Sequence, residues 1–304
     1  MRLISFLLSP SIFGIEALFL SVLWMLRNER DKTRPMLVFA LTLNLFFGTF
    51  LTIFMSRENA IFPWKYDHVL LQLDQSLGIS TAPIARLLQG VCRRPLDVVY
   101  QSLVPVMICW FLVNRYRKAR GSLVLAYVAE LIAGPLLYAV LPACGPVYAF
   151  GANWLRPPAV QASAIRLSAM PNAFPSLHVA TAFVFVLFAP GKLWRGVSLA
   201  FLACTGLATL STGEHYVIDL VAGLAFGCFA ASVGYRRVRS ALLYLGIALF
   251  WSLAVRFGYV FLISHSGVTR ILAVLTAAVA ALAVFKEWSL PAMDAAESNL
   301  QASE

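Results

Sequence analysis

The stretch STGEHYVIDLVAG, residues 211–223, begins as a polar corner and turns at once into an apolar run that continues to about residue 234. PNAFPSLHVATAF, residues 171–183, makes the same transition, with His178 where the other has His215. A polar corner at the mouth of a long apolar run is how a chain leaves water for a membrane. The chain has four histidines, and two of them stand at such mouths.

Working outward, the pattern recurs along nearly the whole chain. Hydrophobic residues make up 60% of the 304 positions and charged residues only 12%, against roughly 25% charged in a soluble domain. Apolar segments lie at 3–26, 35–55, 96–114, 122–142, 176–190, 194–211, 215–234, 240–263 and 270–286. The expected fold is all-α, a polytopic transmembrane helical bundle of about eight or nine spans. The segment 176–190 is short, roughly 22 Å as a helix against a ~30 Å hydrocarbon core. Its His178 end is therefore expected to start below the membrane surface. The N-terminal run has no small-residue cleavage site after it, so 3–26 reads as a retained span.

The net charge of +10 does not point to nucleic acid, because the basic residues sit in short clusters between apolar spans. RNERDKTR (27–34), NRYRKARG (114–121), GKLWRG (191–196) and GYRRVRS (234–240) are what cytoplasmic loops look like. All four histidines, His68, His178, His215 and His265, then fall on the opposite, extracytoplasmic side. Residues 56–95 run against the rule, with Arg57, Lys65, Arg86, Arg93 and Arg94 on that side. Within them, WKYDHVLLQLDQSLG (64–78) spaces Val69, Leu70, Leu73 and Leu77 as an amphipathic helix expected at the interface. The tail, 287–304, lacks apolar periodicity and is expected to be disordered. The five cysteines have no metal-ligand spacing; a disulfide between Cys92 and Cys144 stays open.

His215 and Asp219 are four apart at a helix start, so they share a face. A carboxylate there fixes the imidazole tautomer and leaves the other nitrogen as nucleophile or base; the bland alternative is a cap. Ser176 is a natural N-cap before His178, where free backbone amides make an anion site. Two such corners on one face favour a site that handles phosphate. A buried arginine also needs an anion, which singles out Arg256, about seven residues from the outer end of its span. Arg156, in the loop leading to the Pro-Ser-Leu-His corner, is the other cation candidate; it equally suits lipid headgroups. Glu16 and Glu130 lie nearer the cytoplasmic side and read as packing or helix-pair residues.

PSLH followed by HYVIDL resembles the type-2 phosphatidic acid phosphatase superfamily, most closely its inositol phosphorylceramide synthase branch and bacterial relatives of that branch. YDHVLLQLDQSLG (66–78) and LPACGPVYAF (141–150) are similar to that branch's outer and pre-site loops. The resemblance covers about residues 64–230. It implies His215 as the nucleophile that forms a phosphohistidine, Asp219 as its orienting acid, and His178 as the group that protonates the leaving oxygen and later deprotonates the acceptor. It further implies Ser176 and neighbouring amides holding phosphoryl oxygens, and no metal or other cofactor. Tyr216, among the aromatics near the outer boundary and beside His215, is placed to contact a headgroup. The Ser-Arg that classical phosphatases of the superfamily place six or seven residues before the histidine is Ala208-Thr209 here. Their Lys-x6-Arg-Pro motif is reduced to Ala149…Arg156-Pro157. These departures fit the phosphotransferase branch better than a plain phosphomonoesterase.

The domain reading is N-terminal helices in 1–60, a catalytic membrane domain in 61–235, and C-terminal helices in 236–286. The function expected is a lipid phosphotransferase of a bacterial inner membrane with an extracytoplasmic site. It would move a phospho-headgroup, such as phosphoinositol, from a phospholipid donor to a lipid alcohol such as ceramide or diacylglycerol. Two alternatives stand beside it: a phosphatase acting on phosphatidic acid or a polyprenyl diphosphate, and a transporter with a His/Asp proton relay.

Overall fold

The computed structural model describes residues 19–20, 22–23, 38–39, 42, 51–116 and 121–289. Most of the spans expected at 3–26 and 35–55 and most of the 287–304 tail lie outside those residues. Residues 51–61 are helical. Beyond them come α1 (Asp67–Ser76), α2 (Thr81–Gln101), α3 (Leu103–Tyr116), α4 (Leu123–Val140) and the single-turn α5 (Pro146–Phe150). The second half holds α6 (Leu177–Leu187), α7 (Lys192–Thr212), α8 (Val217–Gly234), α9 (Val238–Ser264) and α10 (Ser266–Ser289). Two short strands, β1 (Trp64–Lys65) and β2 (Ile165–Arg166), pair antiparallel and tie the two long loops together.

Among the described residues, α4, α7, α8, α9 and α10 are long and apolar enough to cross a membrane. The pair α2 and α3 would make a sixth span, bent by 55° between the two. The chain is an integral membrane protein. The expected segment at 176–190 appears as α6, only 11 residues long. It is short because it never faces lipid: Val179 to Leu187 are all buried, with α8, α7 and α4 packed around it. α9 and α10 form the periphery, exposing Phe257, Val274, Leu282 and Phe285.

Close approach in the centre depends on small residues. A Cβ on Gly223 would lie 2.7 Å from the Ser176 carbonyl oxygen, and one on Gly227 would lie 2.8 Å from that of Ala180. Four residues apart, these two glycines let the backbone of α8 lie against that of α6. The chain around Ser122 and the basic segment at 234–240 meet at one end, where the Ser122 amide donates to the Gly234 carbonyl and Arg237 pairs with Glu287. His178 and His215 lie at the other end.

The helix expected over 64–78 is α1, and its Val69, Leu70 and Leu73 are buried as the spacing predicts. They pack on protein, in a cluster with Phe174, Tyr216, Ile218, Trp251 and Val255. Asp67 and Asp74 of the same helix are fully buried too. All five cysteines are free; Cys144 donates its thiol to Asp67 Oδ2 at 3.4 Å and is not bonded to Cys92.

Candidate active site

The corner before α6 is built by Ser176, the N-cap residue, with extended backbone and a side chain that accepts from the Val179 amide at 3.4 Å. Its own amide donates to the Asp219 carbonyl at 3.2 Å, which joins the two corners through the backbone. His178 follows one residue into α6 and is partly open; His215 is 2% exposed. Their ring centroids are 5.9 Å apart and the rings are tilted by 67°.

His215 Nδ1 lies 2.8 Å from the Ala173 carbonyl oxygen and 3.5 Å from Asp219 Oδ2. A carbonyl only accepts, so Nδ1 carries the hydrogen and Nε2 holds the free lone pair. Burial pushes the His215 imidazole down to about 4, which keeps that lone pair available at neutral pH. Asp219 Oδ2 also accepts from the Tyr216 amide at 2.8 Å, capping α8. The carboxylate therefore serves the helix start and the imidazole together.

Two acids that the sequence reading left on an interfacial helix hold this corner from behind. Asp74 accepts from the Val217 and Ile218 amides at 2.8 and 3.1 Å and from the Thr81 hydroxyl at 3.0 Å. The first-turn amides of α8, a natural anion site, are thus taken by Asp74. Asp67 accepts from the Cys144 and Gly145 amides and from the Tyr216 hydroxyl. Burial raises Asp67 to about 6 and Asp74 to about 7, against their hydrogen bonds, which pull the other way. The signal was present: positions 67, 70, 74 and 77 share one helical face, and two acids on an apolar face demand donors.

The remaining predicted residues are spread out. Tyr216 is fully buried and its hydroxyl donates to Asp67 Oδ1 at 3.1 Å. Arg256 Nη1 donates to the Val140 and Ala139 carbonyls at 2.5 and 3.4 Å, closing the end of α4. Its guanidinium also lies 5.9 Å from the Tyr66 ring centre. Arg156 is exposed, and among the described residues its side chain has no hydrogen-bond or ion-pair partner. It sits two residues after Trp154, whose ring packs against Gly213 beside the His215 corner.

Tyr100, at the end of α2, was not foreseen. It stacks on His178 with centroids 4.2 Å apart. Nothing near Tyr100 in sequence marks it, because the contact crosses 78 positions, from 100 to 178. Glu214 and Asn172, each beside a corner residue, complete the rim: Asn172 Nδ2 donates to Glu214 Oε2 at 3.4 Å, and the Tyr148 hydroxyl donates to Oε1 at 2.9 Å.

A pair of imidazoles held against each other at the mouth of a membrane bundle, one with a free nitrogen and one partly exposed, has the chemistry of a group-transfer or hydrolytic enzyme. A family model, the PAP2 superfamily, matches residues 68–233. The chain belongs to this superfamily of phosphatases and phosphotransferases, and the match contains both corners and all but one terminal residue each of α1 and α8. No curated protein and no solved structure matches the chain.

Proposed function

We propose that the protein is a lipid phosphotransferase that works through a phosphohistidine on His215. The observation that carries this reading is the 5.9 Å between the His178 and His215 rings, with His215 Nδ1 committed to a carbonyl. A nucleophile sits about 3–3.5 Å from the atom it attacks, so two rings at this spacing suit opposite sides of one phosphoryl group. His215 Nε2 attacks phosphorus and the N–P bond forms. The P–O bond to the lipid leaving group breaks, and protonated His178 gives that oxygen its proton. His178, now neutral, then takes the proton of an acceptor alcohol, whose oxygen attacks phosphorus and releases His215.

Asp219 stabilises the positive charge that develops on His215. The unpaired amides at the start of α6, beside Ser176, are the donors suited to the phosphoryl oxygens. Lipid alcohol as acceptor is favoured by the corner's position at the end of apolar helices, where both substrates reach it from the bilayer. The absence of the Ser-Arg pair at Ala208-Thr209 also argues against the phosphomonoesterase pattern. Phosphoinositol as donor headgroup and ceramide or diacylglycerol as acceptor follow the branch that the motifs resemble. The site would face the extracytoplasmic side, opposite the basic loops.

The test is mass spectrometry of purified protein mixed with isotopically labelled phospholipid. An acid-labile phospho-adduct on His215, lost in His215→Ala, is the expected result. Turnover by His215→Ala within tenfold of wild type overturns the covalent route. Adding ceramide or diacylglycerol should convert the adduct to a new phospholipid; release of water-soluble phosphate alone would instead make the enzyme a phosphatase.

A further inference from the structure

We propose that Glu214, with Asn172 and Tyr148, is the headgroup-selecting element of this site, favouring a phosphodiester lipid whose headgroup carries hydroxyl or ammonium donors over a phosphomonoester. This rests on the phosphotransfer reading above and names its donor class.

Glu214 immediately precedes His215, and its backbone is fixed. Its amide donates to the Thr209 carbonyl at 3.2 Å, and its carbonyl lies so close to Gly145 that a Cβ there would be 2.2 Å away. The side chain is partly open and is aimed by two contacts, the Tyr148 hydroxyl at 2.9 Å and Asn172 Nδ2 at 3.4 Å. Tyr148 is 49% exposed, so this cluster forms the rim of the corner. Asn172 Oδ1 is buried and has no hydrogen-bond partner. The amides of Asn172 and Ala173 both donate to the Ala143 carbonyl at 2.9 Å, and the Ala173 carbonyl holds His215. Rim and nucleophile therefore share one backbone frame.

The chemistry of this rim is that of an acceptor. Each carboxylate oxygen has lone pairs beyond the one in use, and Asn172 Oδ1 has both of its own. Among the described residues, Glu214 has no Lys or Arg within ion-pair distance to neutralise it. A phosphomonoester would bring a second negative charge beside this carboxylate, which repels it. A phosphodiester brings one charge only, and headgroup hydroxyls or an ammonium would meet the lone pairs that the Glu214 carboxylate still has unused. Because the headgroup stays on phosphorus while the glycerol oxygen leaves, Glu214 would hold it through the whole covalent stage.

The test uses the full chain in mixed micelles with four donors at equal mole fraction: phosphatidylinositol, phosphatidylethanolamine, phosphatidylcholine and phosphatidic acid. Wild type should turn over one of the first two at least ~10-fold faster than the last two, the scale of one charge-assisted hydrogen bond. The inositol and ethanolamine arms separate a polyol from an ammonium headgroup. Glu214→Gln should cut that preference by about tenfold, mainly through KM, with phosphatidic acid gaining in relative rate. Tyr148→Phe, which removes only a hydroxyl at a half-exposed position, should lower the same ratio by about threefold. It decides the matter if Glu214→Gln fails to fold. A ratio unchanged within twofold in the variant that folds, or a wild type that prefers phosphatidic acid or uses none of the four, overturns the proposal. His215→Ala is run in parallel: its residual turnover reports on the covalent route alone, so the two failures are distinguishable.

Discussion

His215 Nδ1 lies nearer to the Ala173 carbonyl, at 2.8 Å, than to the Asp219 carboxylate, at 3.5 Å. The carbonyl therefore fixes the tautomer, and Asp219 is left to stabilise charge on the ring. This division of labour predicts that Asp219→Asn keeps the correct tautomer, since the Ala173 carbonyl still accepts from Nδ1. Its kcat should fall by about 10²-fold, within the range for one electrostatic contribution in a dry site. His215→Ala should fall to background. Parallel single-turnover measurements check this: an Asp219→Asn enzyme as inactive as His215→Ala would mean the carbonyl does not suffice.

The distance between the two imidazoles depends on how closely α8 approaches α6. Gly223→Val places branched atoms where a Cβ alone would be 2.7 Å from the Ser176 carbonyl oxygen. Separating the helices should cost more than tenfold in kcat and lower the melting temperature, at a cost of about 1–3 kcal/mol for overpacking. Gly246→Val is the control, because a Cβ there meets nothing within 4 Å. It should melt close to wild type and keep full activity.

Gly145 has φ +88° and faces the Glu214 carbonyl. Gly145→Ala meets both a disfavoured backbone and a 2.2 Å clash, so the 141–150 loop must move away from residue 214. A loss of about 2 kcal/mol or more is expected, read as a lowered denaturation midpoint together with lost turnover. Gly151 also has positive φ but open space around it; Gly151→Ala should cost only the backbone part, about 1 kcal/mol.

Asp74 sits in the fold with its acid raised to about 7 by burial, above its ordinary value. A raised acid favours the folded state while protonated, and that contribution is lost as pH climbs through the folded value. The melting temperature of wild type relative to Asp74→Asn should therefore decline between about pH 4 and pH 8. The hydrogen bonds lost in the variant shift the whole comparison by a constant. Thermal melts in detergent across that range check the sign; a difference that rises with pH would show that the donors from Val217, Ile218 and Thr81 outweigh burial.

Much of this site is legible in the residues. Ser176 caps α6 and Asp219 follows His215 by one turn because local rules of helix starts and spacing set them; the same rules put His178 and His215 at polar corners, while packing brings the two rings together. Apolar run length likewise marks α4, α7, α8, α9 and α10. It fails at α6, since a helix wrapped by protein has no need to match the membrane's thickness. It also leaves α1 ambiguous: an apolar face seeks either lipid or protein, and only the buried Asp67 and Asp74 tell the two apart.

The sequence by itself determined the helical membrane bundle and which residues stand at its polar corners, because hydropathy and helix-start chemistry are local. The tertiary structure alone decided who serves whom. Ala173 reaches His215 across 42 positions, Asp74 reaches α8 across 143, and Tyr100 covers His178. Backbone carbonyls and amides carry no residue-specific signature, and contacts at such range are set by packing, which no short stretch of chain encodes.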